Sequence, residues 1–204
     1  MPPTSHHSFR HAGMDRNKLR QLLLKKRASN LTVNPAINQY LTSLLNQLKP
    51  VCVGLYWPIR GEIDIRPCVL EWIKGQPADR QMALPCAAEK TAVLRFFTWQ
   101  ANTRMRPDIY GIPTPQDTKE VIPDLLLLPC LGFTFISQGA PGTSDRYYRL
   151  GYGAGCYDRT LATYTIPCVG IAYQDSYTAD FSPEPHDQPL TYLITEKGCY
   201  SDSI

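Results

Sequence analysis

Three short, uninterrupted apolar runs constrain this 204-residue chain more than any other feature. Val51-Cys-Val-Gly-Leu-Tyr56, Asp124-Leu-Leu-Leu-Leu-Pro129 and the stretch 168–173 are too short for helices and are rich in β-formers or closed by proline. They read as strands, and an all-apolar strand has to be covered on both faces. Segments of helical character supply that cover. Residues 14–29 carry Leu19, Leu22 and Leu23 on one stripe, with Asp15 placed to start a helix. After Asn34 and Pro35, residues Ile37, Leu41, Leu44, Leu45 and Leu48 recur at helical spacing until Lys49-Pro50 ends the run. Residues 64–74, with Val69, Leu70 and Ile73 inward, and residues 155–164 complete the helices. Further strands are expected at 81–84, 92–99 and 192–195. Alternation of this kind predicts an α/β fold, a three-layer, largely parallel twisted sheet flanked by helices in a single domain. The expected organisation is a flexible N-terminal leader, 1–14, followed by one α/β domain, 15–204. Ligands of such sheets sit at the carboxyl ends of strands, which draws attention to the loops after Tyr56, Leu128 and Tyr173.

Composition excludes several classes. With 43% hydrophobic and 19% charged residues, most of the chain is folded rather than disordered. The longest apolar run, 125–131, falls far short of the ~20 residues of a membrane helix. The first 14 residues lack the apolar centre of a secretory signal, and seven cysteines without a C-x-x-C pair suggest reduced thiols. The expected compartment is therefore the cytoplasm. A net charge of +3 does not by itself imply nucleic acid, but it is unevenly spread. Residues 1–30 hold seven Lys/Arg against one acid, whereas the remainder is net −3. That basic segment is open to two readings, a solvated helix face or the seat of an anionic ligand.

The segment densest in chemistry is Arg149-Leu-Gly-Tyr-Gly-Ala-Gly-Cys-Tyr-Asp-Arg159. Three alternate glycines let backbone N–H groups converge on an anion, and a helix starting after them adds its positive end. Arg149 offers a forked cation, and Asp158 offers a carboxylate of the kind Mg²⁺ shares with phosphate oxygens. On spacing alone a flexible turn is an equal reading. Neither the Rossmann fingerprint nor the P-loop is present.

Together with Leu127-Leu-Pro-Cys-Leu-Gly-Phe133, this segment resembles the signature of the 5-formyltetrahydrofolate cyclo-ligase (methenyltetrahydrofolate synthetase) family. Arg16-x-x-x-Arg20, Tyr56-Trp57-Pro58 through Glu62-Ile-Asp64, and Pro185-His-Asp187 followed by 190–198 agree in order. The resemblance covers the chain from about residue 15. It implies a cyclisation dependent on ATP and Mg²⁺, in which 5-formyltetrahydrofolate becomes 5,10-methenyltetrahydrofolate with release of ADP and phosphate. The formyl oxygen attacks the γ-phosphate, N10 attacks the resulting imidate, and phosphate leaves. Such a reaction rests on positioning and on neutralising the transferring phosphate.

Carried over position by position, the resemblance puts ATP on Arg16, Arg20, Arg149 and the loop Gly151, Tyr152, Gly153, Ala154, Gly155, Cys156 and Tyr157. Arg149 and Tyr157 are the implied catalytic residues. Trp57, Glu62 and Tyr110, with Gly155 and Cys156, would meet the folate, Glu62 through paired N–H bonds from the pterin. Asp158 and Asp187 would hold the metal. Lys25, Lys26 and Arg27 are read as a solvated face. The implied partners are small molecules, a reduced folate and ATP, with neither nucleic acid nor membrane, and the expected state is a monomer or weak homo-oligomer.

Three positions depart from the family pattern. Arg16 stands where lysine is common, Cys156 where a tyrosine is usual, and the stretch from Phe133 to Arg149 is longer, with Thr134 in place of an acid. The added residues, 135–148, read as a surface loop. A non-catalytic nucleotide or folate sensor on the same fold, and a sugar-phosphate or acyl-transfer enzyme on a related sheet, are the rival readings.

Overall fold

The structure is a computed structural model that describes residues 14–28, 35–137 and 145–201. Apart from Met14, the expected leader lies outside the described residues. Asp15 caps the first helix, its Oδ1 accepting the N–H groups of Asn17 and Lys18 at 3.0 Å each. Helix α1 (Arg16–Ala28) is followed by α2 (Pro35–Leu48), which opens on the proline that φ restriction favours there. Then come β1 (Cys52–Gly54), α3 (Arg66–Lys74), β2 (Gln81–Cys86), β3 (Arg95–Trp99), the small ribbon β4 (Met105–Pro107) and β5 (Pro113–Pro115), β6 (Glu120–Val121) and β7 (Leu125–Pro129). The second half adds β8 (Gly132–Ile136), β9 (Arg146–Leu150), α4 (Cys156–Tyr164), β10 (Cys168–Ile171), β11 (Pro189–Leu190), β12 (Tyr192–Thr195) and β13 (Gly198–Ser201).

Eight strands form one sheet in the order β13-β12-β10-β7-β1-β2-β3-β6. From β12 to β2 neighbours are parallel, and the outer strands β13, β3 and β6 are antiparallel. The apolar runs explain the layering, because successive residues face opposite sides. Val53, Leu55, Leu125, Leu127, Val169 and Ile171 pack with α2 and α3 on one face. Cys52, Leu126, Leu128 and Cys168 pack on the other with Leu161 of α4 and with Phe133 and Leu190 of a three-stranded sheet, β11-β9-β8. Helix α1 lies on that second layer, burying Leu19 and Leu23 against Leu131, Leu150 and Phe181. The three-layer, largely parallel α/β architecture is as expected.

Some expectations need correction. The chain does not end its sheet at 192–195, since β13 returns along β12 as an edge strand. The stretch 135–148 is not wholly a loop: β8 and β9 pair antiparallel from Gly132↔Leu150 out to Ile136↔Arg146. Residues 138–144 at its tip lie outside the described residues. Leu22 is 51% exposed, because the buried stripe of α1 runs through Leu19, Leu23 and Arg27. Arg27 is accordingly 5% exposed rather than part of a solvated face. Its Nη1 donates to the Tyr152 hydroxyl at 3.0 Å, and its Nη2 donates to the Cys130 carbonyl. All seven cysteines are free.

In chain order the sheet grows from β1 to β2 on one side and then resumes with β7 on the other. Strands β1 and β7 thus flank a switch point, where the connections leave in opposite directions and a crevice opens at the carboxyl ends.

Candidate functional site

At that position lies a cleft of about 440 Å³. Its walls come from the loop after β1 (Ile59, Arg60), the ends of β2 and β7 (Pro85, Pro129), the run Arg149–Asp158, the start of α1 (Arg16, Arg20), the 108–112 turn and the 186–187 loop.

The glycine loop is shaped around arginines. A Cβ on Gly151 would sit 2.7 Å from Arg149 Nη1, one on Gly153 3.2 Å from Arg20 Cζ, and one on Gly155 2.8 Å from Arg159 Nη1. Gly153 and Gly155 also take positive φ, 98° and 66°, which side chains rarely adopt. Carbonyls of the loop hold the same cations: Arg20 Nε donates to Gly151 O and Arg159 Nη1 to Ala154 O, each at 2.9 Å. Each alternate glycine therefore seats one guanidinium against the backbone, a role that spacing alone did not reveal. Gly155 then caps α4, whose first turn carries Asp158.

Two arginine–carboxylate pairs stand beside the loop. Arg149, with its side chain only 5% exposed, gives Nη2 to Asp158 Oδ2 at 2.9 Å and lies 5.1 Å from the Tyr157 ring centre. Arg16 grips Asp187 with Nη2–Oδ2 at 2.5 Å and Nη1–Oδ1 at 3.3 Å, and its Nε pairs with Glu184 at 3.1 Å. Burial alone would push the Asp187 carboxyl up, but the Arg16 bond, the Glu184 amide and the charges of Arg16 and His186 together hold it below the usual range. Arg20 experiences the opposite balance. Burial, and then the charge of Arg16, lower its pKa, so positive charge is crowded where the cleft opens. Such an arrangement suits an anion with several oxygens.

Among the described residues no group of three or more His, Cys, Asp or Glu forms a metal cluster. Asp158 and Asp187 both line the cleft and present hard oxygen donors. Two carboxylates completed by phosphate oxygens are a donor set that fits Mg²⁺, and in this arrangement arginines neutralise both.

Of the predicted residues, the cleft brings together Arg16, Arg20, Tyr110, Arg149, Gly151, Tyr152, Gly153, Ala154, Gly155, Cys156, Tyr157, Asp158 and Asp187. Tyr110 is 40% exposed, and its hydroxyl is 3.9 Å from Cys156 Sγ. Trp57 and Glu62 are not in these walls. Trp57 packs beside the core under the Arg66 guanidinium, 3.8 Å from its ring. Glu62 lines a second pocket, too narrow for a water molecule, with Arg27, Tyr56, Cys130, Ile171 and Tyr173. Its Oε2 accepts the Ile59 N–H at 2.9 Å, whereas its Oε1 is buried without a hydrogen-bond partner. Burial raises the Glu62 pKa; the Ile59 N–H, the Tyr152 hydroxyl and the charges of Arg27 and Arg149 oppose it. Tyr152 lines the main cleft, and its hydroxyl meets Arg27, which lines the small pocket. Sequence reading missed Arg27 and Arg60. For Arg27 the signal was present, since it lies four residues beyond Leu23 on the buried stripe.

The fold and cleft together define the class: a single-domain α/β enzyme whose site sits at the switch point of a mostly parallel sheet. No family model matches the chain. It is 29% identical to the 5-formyltetrahydrofolate cyclo-ligase of Mycoplasma pneumoniae over 90% of this chain and 100% of that protein. The cyclo-ligase of Haemophilus influenzae is 28% identical over 88% of this chain and 96% of its own. In three dimensions, the 5,10-methenyltetrahydrofolate synthetase of Aquifex aeolicus superposes with a TM-score of 0.68 at 26% identity, covering 91% of this chain and 92% of that one. Over most of its length the chain is thus similar to 5-formyltetrahydrofolate cyclo-ligases and, in fold, to a methenyltetrahydrofolate synthetase.

Proposed function

We propose that the protein cyclises 5-formyltetrahydrofolate to 5,10-methenyltetrahydrofolate at the expense of ATP, releasing ADP and phosphate, in the cytoplasm. The observation that carries this reading is the convergence of Arg16, Arg20 and Arg149 on one cleft walled by the glycine loop, with Asp158 and Asp187 on the same walls. The formyl group is an amide, a poor nucleophile whose oxygen is a worse leaving group. Phosphoryl transfer to that oxygen turns it into phosphate, which N10 can displace. The work of the chain is then to hold the γ-phosphate in line and to neutralise its charge.

Arg149 is suited to that task because Asp158 and the Tyr157 ring fix its guanidinium. Arg16 and Arg20, one helical turn apart, hold the rest of the triphosphate. The backbone of 151–157 follows the nucleotide. Asp158 and Asp187 would hold Mg²⁺, which supplies charge neutralisation when bound. Glu62 accepts N–H bonds from the pterin through the oxygen left without a partner, and Tyr110 with Cys156 flanks the formyl end. The narrow pocket beside Glu62 must widen for the pterin to reach it. Incubation with ATP, Mg²⁺ and 5-formyltetrahydrofolate should develop the near-ultraviolet absorbance of the methenyl product, and its absence across several pH values and divalent metals would contradict the proposal.

A further inference from the structure

The loop after β1 holds a residue whose backbone and side chain cannot both be explained by folding. Glu62 N–H bonds back to the Ile59 carbonyl at 3.0 Å, closing a turn in which both central residues take positive φ, Arg60 at 50° and Gly61 at 72°. This is the pattern of a type I′ turn, in which Asn, Asp or Gly sits first almost without strain and a long side chain does not. Arginine is the costlier choice at that position, so its side chain should serve something beyond the turn.

The side chain is aimed at the cleft, whose wall it forms in part. Its guanidinium stacks over the Tyr152 ring, 5.3 Å from the centre, which limits its freedom without occupying its N–H donors. The neighbouring cations are engaged: Arg16 with Asp187 and Glu184, Arg149 with Asp158, and Arg20 with Gly151 O and Asn17. Among the described residues Arg60 makes neither a hydrogen bond nor an ion pair. A turn under strain thus presents a pre-oriented, unneutralised fork at the mouth of the cleft.

We propose that Arg60 is an anion-recognition residue of the substrate site, binding a carboxylate or phosphate group of a bound substrate. The inference rests on the cyclo-ligase reading, under which both substrates carry such groups, the folate on its glutamyl tail and ATP on its phosphates. The chemistry is the same for either source, a planar fork meeting two anionic oxygens.

Arg60→Asn and Arg60→Gly test it, because both residues accept the left-handed conformation. Their melting temperatures should equal or exceed that of the parent. The KM, and the Kd by calorimetry, for one substrate should rise about tenfold with kcat within about twofold, and Arg60→Lys should recover part of the loss. A rise confined to 5-formyltetrahydrofolate, and absent for 5-formyltetrahydropteroate, which lacks the glutamate, assigns the carboxylate. A rise confined to ATP assigns the phosphate. Unchanged constants for both substrates in an active parent overturn the role of Arg60 alone. A parent that neither turns over nor binds these substrates overturns the cyclo-ligase reading and this inference with it.

Discussion

Glu62 shows at the scale of one residue how function and stability can oppose each other. A carboxylate that is mostly buried, with one oxygen unpartnered, favours its neutral form, so its pKa lies above the ordinary ~4.3. A group raised in the fold contributes stability below its unfolded pKa and loses it as pH rises through the folded one. Glu62→Gln should therefore melt no lower than the parent at neutral pH. It should also bind 5-formyltetrahydrofolate more weakly, and without the rise in KM that the parent shows as mild acid protonates Glu62. A pH-independent KM in the parent would refute the pterin role. Asp187 behaves with the opposite sign. Its carboxyl is held below the usual range, so the stability it contributes with Arg16 is present above about pH 4 and is lost as pH falls through the folded value. Thermal melts should show the parent losing its advantage over Asp187→Asn only in that acidic window. An advantage that persists unchanged far below it would show the pair to be unimportant.

At the scale of elements, the glycine loop and α1 act as one unit, because Arg20 of the helix is seated on Gly153 of the loop. Gly153→Ala combines positive φ, at about 1–2 kcal/mol, with a Cβ 3.2 Å from the Arg20 guanidinium. Melting should register that loss, and KM for ATP should rise on the order of fivefold as Arg20 shifts. An unchanged KM for ATP would separate Arg20 from the nucleotide. The apolar strands β1, β7 and β10 and the four helices were legible in the sequence, since each carries a strong local pattern. Strand β13 was not, because Gly198-Cys-Tyr-Ser201 is an edge strand with weak alternation, held by pairing with β12. Strands β8 and β9 were hidden for a related reason: their outer rungs expose Phe135 and Ile136, so the apolar pattern does not repeat along one face. The glycine loop stood out in the sequence, but its packing did not, since the guanidinium against Gly153 is that of Arg20, from a segment more than a hundred residues away.

Across the whole molecule, the basic N-terminal segment acquires its meaning from the sheet. Helix α1 is carried on the β8-β9 layer by Leu19 and Leu23, and this places Arg16 and Arg20 over the cleft and Arg27 inside, against Tyr152. Two of its cations thus face the cleft and a third is buried among Tyr152 and Cys130, which the charge count could not distinguish. Under the proposed function this arginine-lined cleft consumes one ATP for each folate it closes. The direct measurement follows ADP release and methenyl absorbance together in one reaction with Mg²⁺. Cyclisation in this cleft predicts equal amounts of the two products at every time point, and none of the methenyl product without ATP. Binding of both substrates with no ADP and no absorbance change would contradict it and identify a sensor instead.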